Sequence, residues 1–526
     1  MVLLGCTTKP QIDLSKAPLI PKPIFIKPTN SSFAFLESTK IYISQDNESL
    51  LKVANYFVDK LARSTGFEYR VEAIEEIPDK GVLIGFLEDS SLGNEGYSLM
   101  ISDQLLQIEG NSAEGVFRGI QTILQLLPDE IAYETLQDGP WVIGTGTIVD
   151  YPEYEWRSSM LDVSRHFFGV EDVKRYIDFL AFYKMNILHL HLTDDQGWRI
   201  EIKSWPNLTD FGSRTEVGGG EGGYFTQEQY KEIVRYAADR YITIIPEIDM
   251  PGHTYAALAS YPELNCDTKA PLMATGDDPS RELPSEYEGL YTGIEVGFST
   301  FCTEKEITYK LIDDVIRELA EMTPGPFIHI GGDESHSTKK EDYIPFIERA
   351  QFIVERHGKS MIGWDETAQS TLKENSMVQL WHSAEFAKKA IDQGNKLIMS
   401  PAHKAYLDMQ YDSTSRIGLH WAAYIEVDEA YSWDPATVIE GIQRDDIVGI
   451  EAPLWTETVE DMDDIEYLAF PRLPGYAEIG WSKAEDRDWN EYKIRLGQHG
   501  NRMRAMGIDY YQSDKVPWFT ESANLD

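Results

Sequence analysis

Two adjacent carboxylates, Asp333 and Glu334, follow the run Phe327-Ile328-His329-Ile330-Gly331-Gly332. A short apolar stretch of strand type that ends in glycines and then acids is how a buried strand delivers acid–base groups to the mouth of a site. A lone Asp-Glu pair would read as a solvated turn, but the two glycines, which let backbone crowd a site, weigh against that reading. Sequential residues project differently, so the pair serves neighbouring atoms of one substrate rather than one atom. Like charge at that spacing raises the proton affinity of one member, and Glu334 is expected to be that member and the general acid.

Comparable groups end other strand-like runs. From Tyr151 onward, short apolar segments alternate with amphipathic helices, the pattern of repeated βα units. Strands are expected at Ser159–Val163, Asn186–Leu192, Ile242–Ile248, Phe327–Ile330, Met361–Trp364, Met377–Trp381, Lys396–Met399 and Val448–Leu454. Helices are expected at Val170–Tyr183, Gln227–Arg240, Glu304–Glu321 and Ile465–Trp481. Eight strands predict an α/β fold with a (β/α)8 TIM barrel over residues 151–526. The C-terminal strand ends, where such barrels do their chemistry, carry Arg165 and His166, then Asp194-Asp195, Glu247 to Asp249 with His253, Asp333-Glu334, Trp364-Asp365-Glu366, Trp381-His382, Tyr406 with Asp408, and Trp455 with Glu457. Polar or aromatic residues at nearly every end, against apolar interiors, predict one convergent cavity. Trp364, Trp381 and Trp455, each beside a carboxylate or histidine, suit the flat C–H face of a sugar.

A metal site is the first competitor. His189 and His191 resemble paired ligands, with His253, His329 and His382 to complete the set. Alternation instead places His189 and His191 inside the barrel as hydrogen-bonded core, so no metal and no cofactor is expected. Residues 21–150 read as a small mixed α/β domain, with strands at Ile41–Ile43, Val82–Gly85 and Tyr97–Ile101 and helices over Leu50–Leu61 and Val116–Leu127, the latter stopped by Pro128. Gly110, Gly115 and Gly119 have the wrong spacing for a phosphate loop. All 12 tryptophans lie at Trp141 or later, so function belongs to the second part.

The excess of acids, 88 − 47 = 41, repels nucleic acid and anionic lipid and favours a neutral substrate. No apolar run approaches the roughly 18 residues of a spanning helix. Residues 1–20 read either as the end of a lipoprotein signal, with Cys6 as the lipid acceptor and only membrane tie, or as a disordered tail, with order beginning after the proline-rich Pro18 to Pro28 segment. Cys266 and Cys302 flank a polar stretch and are either a disulfide or two separate thiols.

Four motifs carry a family resemblance: Leu161-Asp162-Val163-Ser164-Arg165, His191-Leu192-Thr193-Asp194-Asp195-Gln196-Gly197-Trp198, Pro246-Glu247-Ile248-Asp249-Met250-Pro251-Gly252-His253 and His329 to Glu334. Together they resemble glycoside hydrolase family 20, the β-N-acetylhexosaminidases, over nearly the whole chain. The resemblance implies exo-acting, retaining removal of terminal β-linked GlcNAc or GalNAc by substrate-assisted catalysis, an exception to the two-carboxylate scheme. It implies Glu334 as the acid, Asp333 on the acetamido N–H, Tyr406 on the acetamido oxygen, and Asp194 with His253 as a relay to Glu334. It further implies Arg165, Asp408 and Glu457 on sugar hydroxyls, Trp364, Trp381 and Trp455 around the acetamido group, and Trp421 on the leaving-group side. The bacterial cell envelope or the exterior is the implied location. The alternatives are a two-carboxylate barrel glycosidase, with Glu247, Glu366 or Glu457 as nucleophile, and a sugar-binding relative without turnover.

Overall fold

The computed structural model describes residues 10–266 and 289–519, which pack as two compact units. The first holds the described residues up to Glu153, together with Phe182–Lys184 and those from Ala477 onward; the second holds Tyr154–Ala181 and Met185–Tyr476. Cys6 lies outside the described residues.

Seven strands form the sheet of the first unit: β1 (Phe25–Ala34), β2 (Ile41–Ile43), β3 (Val71–Ala73), β4 (Gly81–Phe86), β5 (Tyr97–Ile101), β6 (Leu105–Gly110) and β7 (Val142–Asp150). Their order is β1-β7-β5-β6-β4-β2-β3, with β2, β3, β4 and β6 paired in parallel and β1, β7, β5 and β6 antiparallel. Two amphipathic helices belong to this unit. Glu48–Thr65 begins on an Asn47 cap and buries Leu50, Val53, Phe57 and Leu61; Ala113–Leu126 begins on a Ser112 cap and ends at Leu127, before Pro128. Order begins earlier than the proline-rich segment suggests. Leu14, Leu19 and Ile20 are buried, and the Ile20 N–H donates to Gln125 Oε1 at 2.9 Å, so residues 10–20 are part of the fold rather than a tail. The C-terminal helix Trp489–Ala505 also packs here, although the strand–helix pattern assigns it to the barrel. Arg495 pairs with Glu478 at 2.7 Å, and Arg502 donates to the carbonyls of Leu124, Gln125 and Leu127 that the preceding helix leaves open.

The second unit is a closed parallel barrel of β8 (Trp156–Asp162), β9 (Ile187–His191), β10 (Thr243–Glu247), β11 (Phe327–His329), β12 (Ser360–Trp364), β13 (Met377–Leu380), β14 (Lys396–Met399) and β15 (Ile447–Leu454). All eight expected strands are present, their ends shifted by a few residues. Helices stand at Val170–Phe182, Gln227–Ala238 and Glu306–Met322 as the periodicity predicts. The expected single helix Ile465–Trp481 is two, Met462–Ala469 and Arg472–Trp481, because Pro471 has no N–H to donate and Phe470 turns extended.

Inward-facing residues divide the barrel interior into layers. At the N-terminal ends of the strands Trp156, Ile187, Ile245, Ile362, Met377 and Ile398 make an apolar plug. One pleat higher the barrel strands contribute Ser158, His189, Glu247, His329, Trp364, Gln379 and Glu451, all buried. This polar layer is the floor on which the strand-end residues stand. Outside the barrel, Cys266 and Cys302 are joined as a disulfide, spanning 36 residues, a loop whose closure contributes about 4 kcal/mol in the chain-entropy account.

In the first unit, Lys184 is 1 % exposed and its Nζ donates to Asp150 Oδ2 at 2.9 Å and to the Tyr97 hydroxyl at 2.8 Å, while Trp481 Nε1 donates to Asp150 Oδ1. Replacing Lys184 with Met strands a buried carboxylate, an expected cost of about 3–5 kcal/mol. The measurement is the apparent unfolding temperature, which should fall for Lys184→Met and largely recover in the double variant with Asp150→Asn.

Candidate active site

The chain leaves β11 through a strained turn. Gly331, Gly332 and Glu334 all adopt positive φ, +65°, +99° and +42°. The turn is pinned from three sides: Gly332 N–H donates to Asp249 Oδ1 at 3.1 Å, the Tyr343 hydroxyl donates to Gly332 C=O at 2.6 Å, and Glu334 N–H reaches Glu366 Oε1 at 3.4 Å. Side chains at either glycine would collide, with Asp249 at Gly331 and with Thr367 at Gly332. Asp333 and Glu334 thereby enter one cavity of about 220 Å³, whose lining also includes Arg165, Trp381, Tyr406, Asp408, Trp421, Trp455 and Glu457. Four strand ends and two later loops converge there, as the strand-end pattern predicts.

Behind Glu334 stands His253, itself at φ +53°. Its Nε2 lies 3.6 Å from Glu334 Oε2 and 3.7 Å from Asp333 Oδ2, and its Nδ1 bonds Asp194 Oδ1 at 3.2 Å. The neighbouring Asp195 is farther, 3.9 Å, and its Oδ1 accepts from Ser299 Oγ and Tyr255 N–H, so Asp194 is the partner of the histidine. Asp194 Oδ2 also accepts from Arg165 Nη2 at 2.7 Å and from His191 Nε2 at 2.9 Å. Arg165, whose guanidinium stacks 4.7 Å from the Trp455 ring, thus shares one carboxylate with the histidine.

The electrostatics differ from the sequence expectation. Burial and the charges of Glu334 and Glu247 raise Asp333, the member that the like-charge argument left ionised. Glu334 is lowered: burial acts upward, but the hydrogen bond and charge of His253, with Arg165, outweigh it. His253 is raised well above the ordinary imidazole range because the charge and hydrogen bond of Asp194 and the hydrogen bond of Glu334 overcome its burial. These opposite shifts favour a protonated imidazole beside an ionised Glu334. Tyr406 is pushed well up by burial and by the charges of Asp408 and Asp333, and keeps its O–H.

Two carboxyl groups face the cavity without partners. Both oxygens of Asp408 and Oε2 of Glu457 are buried and find no hydrogen bond among the described residues. The aromatic set is uneven. Trp381 and Trp455 line the cavity and Trp421 is 56 % exposed at its rim, whereas Trp364 is 1 % exposed, packs 5.8 Å behind Trp455 and donates its indole N–H to Glu247. His189 and His191 lie inside the barrel, as alternation predicts. His189 Nδ1 bonds Glu451 at 2.9 Å and its Nε2 lies 3.1 Å from Glu247, and His191 bonds Glu247 and Asp194. His189, Glu247 and His329 are close enough to share an ion, but Trp364, His191 and Glu451 already bond to members of that trio. His382 stays apart, beside Asp365.

Several positioning groups escape motif reading. Asp162 accepts from the N–H groups of Ser164, Arg165 and Thr456, and Asp365 Oδ2 accepts from those of Trp381, His382 and Ser383, fixing two loops. Both belong to stretches already singled out, Leu161 to Arg165 and Trp364 to Glu366, but their loop-fixing task shows only in the fold. Ile294 and Val296, which line the cavity, belong to a loop without periodicity.

Residues 154–484 match the model of glycosyl hydrolase family 20, catalytic domain, and residues 16–151 match glycosyl hydrolase family 20, domain 2. The chain is 37 % identical to a β-N-acetylhexosaminidase of Cellulomonas fimi over 504 residues, 95 % of this chain and 97 % of that one. It superposes on the family 20 β-N-acetylhexosaminidase of Streptomyces coelicolor A3(2) with a TM-score of 0.89 at 46 % identity, covering 96 % of this chain and 99 % of the other. A mutant β-hexosaminidase of Streptomyces plicatus, solved in complex with its product GlcNAc, gives 0.89 and 46 % over 97 % of this chain and 100 % of its own. The chain belongs to glycosyl hydrolase family 20, the β-N-acetylhexosaminidases, and is a glycoside hydrolase.

Proposed function

We propose that the enzyme removes terminal, non-reducing β-linked GlcNAc or GalNAc from oligosaccharides and glycoconjugates, with retention of configuration and with the substrate's own acetamido oxygen as nucleophile. The observation that carries the mechanism is the position of the protein's alternative nucleophiles. Glu247 is fully buried and bonded to Trp364 and His191, and Glu366 holds the indole N–H of Trp381 at 3.0 Å outside the cavity lining. Glu457 alone of the three opens on the cavity, and it lies with Arg165 and Asp408 on the side that suits sugar hydroxyls.

In the proposed reaction a bound sugar excludes water from Glu334, and the added burial raises its proton affinity until it takes the proton of His253. Glu334 then protonates the glycosidic oxygen as the C1–O bond breaks. The acetamido oxygen bonds to C1, forming an oxazolinium ion, with Tyr406 donating to that oxygen and Asp333 accepting from the acetamido N–H, whose positive charge it offsets. Glu334, now a carboxylate, takes a proton from water as that water attacks C1. Trp381 and Trp455 pack on the acetamido group with Trp364 backing them, Trp421 meets the leaving group, and the small volume of the cavity supports exo action. Location in the cell envelope or outside the cell, with lipid on Cys6 as the route to a membrane, completes the proposal; the Cys266–Cys302 disulfide supports an oxidising compartment.

Glu334→Gln should lower kcat about 10²- to 10⁴-fold on substrates with poor leaving groups and leave binding intact. Near-normal turnover of an oligosaccharide would reject Glu334 as the acid. The decisive comparison is of aryl N-acetylglucosaminide, N-acetylgalactosaminide and glucoside. The glucoside, lacking the acetamido group, should be inert, and its hydrolysis at a similar rate would favour Glu457 as a protein nucleophile. A thiazoline fused to the sugar should bind about 10²-fold or more tighter than the product, as a mimic of the cyclic intermediate; equal affinities would oppose the mechanism.

A further inference from the structure

The reading above leaves one buried acid beside Asp333 without a role. Asp249, two residues past β10, is 1 % exposed. Its N–H donates to Thr193 Oγ1 at 3.2 Å and its Oδ1 accepts from Gly332 N–H at 3.1 Å. The fit is close: a Cβ on Gly331 would lie 1.8 Å from that same Oδ1, so the first glycine of the Gly-Gly-Asp-Glu motif is the space the Asp249 carboxyl occupies. Its other oxygen, Oδ2, is buried and has no donor among the described residues, and the same holds for Oδ1 of Asp333. An oxygen of Asp249, an oxygen of Asp333 and a ring nitrogen of His253 lie within 4.8 Å of one another. Two buried carboxyl groups this close cannot both ionise, since neither orphaned oxygen has an N–H or O–H to meet it.

We propose that Asp249 is a positioning residue that carries a proton and donates it, as a carboxylic O–H, to Asp333, holding Asp333 ionised and aimed into the cavity. Asp333 and Glu247, with burial, raise Asp249 well above the ordinary carboxylate range, while its hydrogen bond acts downward on Asp333; His253 and His191 are the cations that face it. The assignment of the proton follows from the neighbours: Asp333 has the His253 imidazolium 3.7 Å away to favour its anion, whereas Asp249, which that cation also faces, takes a hydrogen bond only from the backbone N–H of Gly332 among the described donors. The role rests on the proposed contact of Asp333 with the acetamido N–H.

Two measurements test it. In the resting enzyme at neutral pH, the infrared difference between wild type and Asp249→Asn should contain the C=O stretch of a protonated carboxylic acid; its absence would overturn the proposal. In kinetics, Asp249→Ala should lower kcat about 100-fold with little change in KM. Asp249→Asn keeps an oxygen for Gly332 N–H and gains an N–H for Asp333, so it should recover most of that loss. A folded Asp249→Asn enzyme as slow as Asp249→Ala would mean that an ionised Asp249 is required and would overturn the proposal, as would an unimpaired Asp249→Ala. If Asp249→Ala does not fold, the infrared band and the rate of Asp249→Asn still decide. Retained turnover in Asp333→Ala would defeat the reading of Asp333 itself, a result separate from the infrared band.

Discussion

Everything at the mouth of this barrel depends on how charge is stored at its centre. Glu451, His189, Glu247, His191, Asp194 and His253 form a row in which carboxylate and imidazole alternate, each within 3.2 Å of the next, ending beside Glu334. Taking any one of these groups out of water alone would cost several kcal/mol, and the row is tolerable only because each charge has an opposite neighbour. The opposite signs also fix geometry: both ring nitrogens of His191 and the Nδ1 atoms of His189 and His253 each bond a carboxylate oxygen of the row. The site is therefore built on a rigid ionic spine rather than on the aliphatic packing that fills the lower barrel.

Arg165 joins that spine through Asp194, which has a physical consequence for ligand binding. The guanidinium that opens on the cavity and the imidazole behind Glu334 draw on the two oxygens of one carboxylate. A ligand that pulls electron density toward Arg165 weakens its hold on Asp194, which strengthens the remaining bond to His253. The cavity face of Arg165 and the imidazole beside Glu334 are thereby linked through two hydrogen bonds.

The sequence made the barrel legible where the physics is periodic. Buried parallel strands must be apolar runs, and the residues that follow them must be at the catalytic face, so the cavity could be assembled strand by strand. Strands β1 and β7 escaped because β1 is polar, half exposed and interrupted by Pro28, and β7 contains glycines that read as turns. The helix break at Pro471 was legible and outweighed by helical spacing on both sides. Asp249 was visible as a strand-end acid, yet its task was not, because it depends on the space left by Gly331, eighty residues away in the chain but in contact in the fold. The direction of the Asp333 and Glu334 shifts was hidden for the same reason: burial and the nearby acids raise Asp333, and His253, which spacing alone does not bring to within 4 Å, lowers Glu334.

The bare carboxyl groups of Asp408 and Glu457 carry a different implication. A buried oxygen without a protein donor must be met by whatever enters the cavity, water or a ligand hydroxyl. An analogue that lacks such a hydroxyl does not merely forgo a contact; it seals the deficit in, away from water. Discrimination of that kind is steep, because it rests on rejecting the wrong molecule and not on preferring the right one.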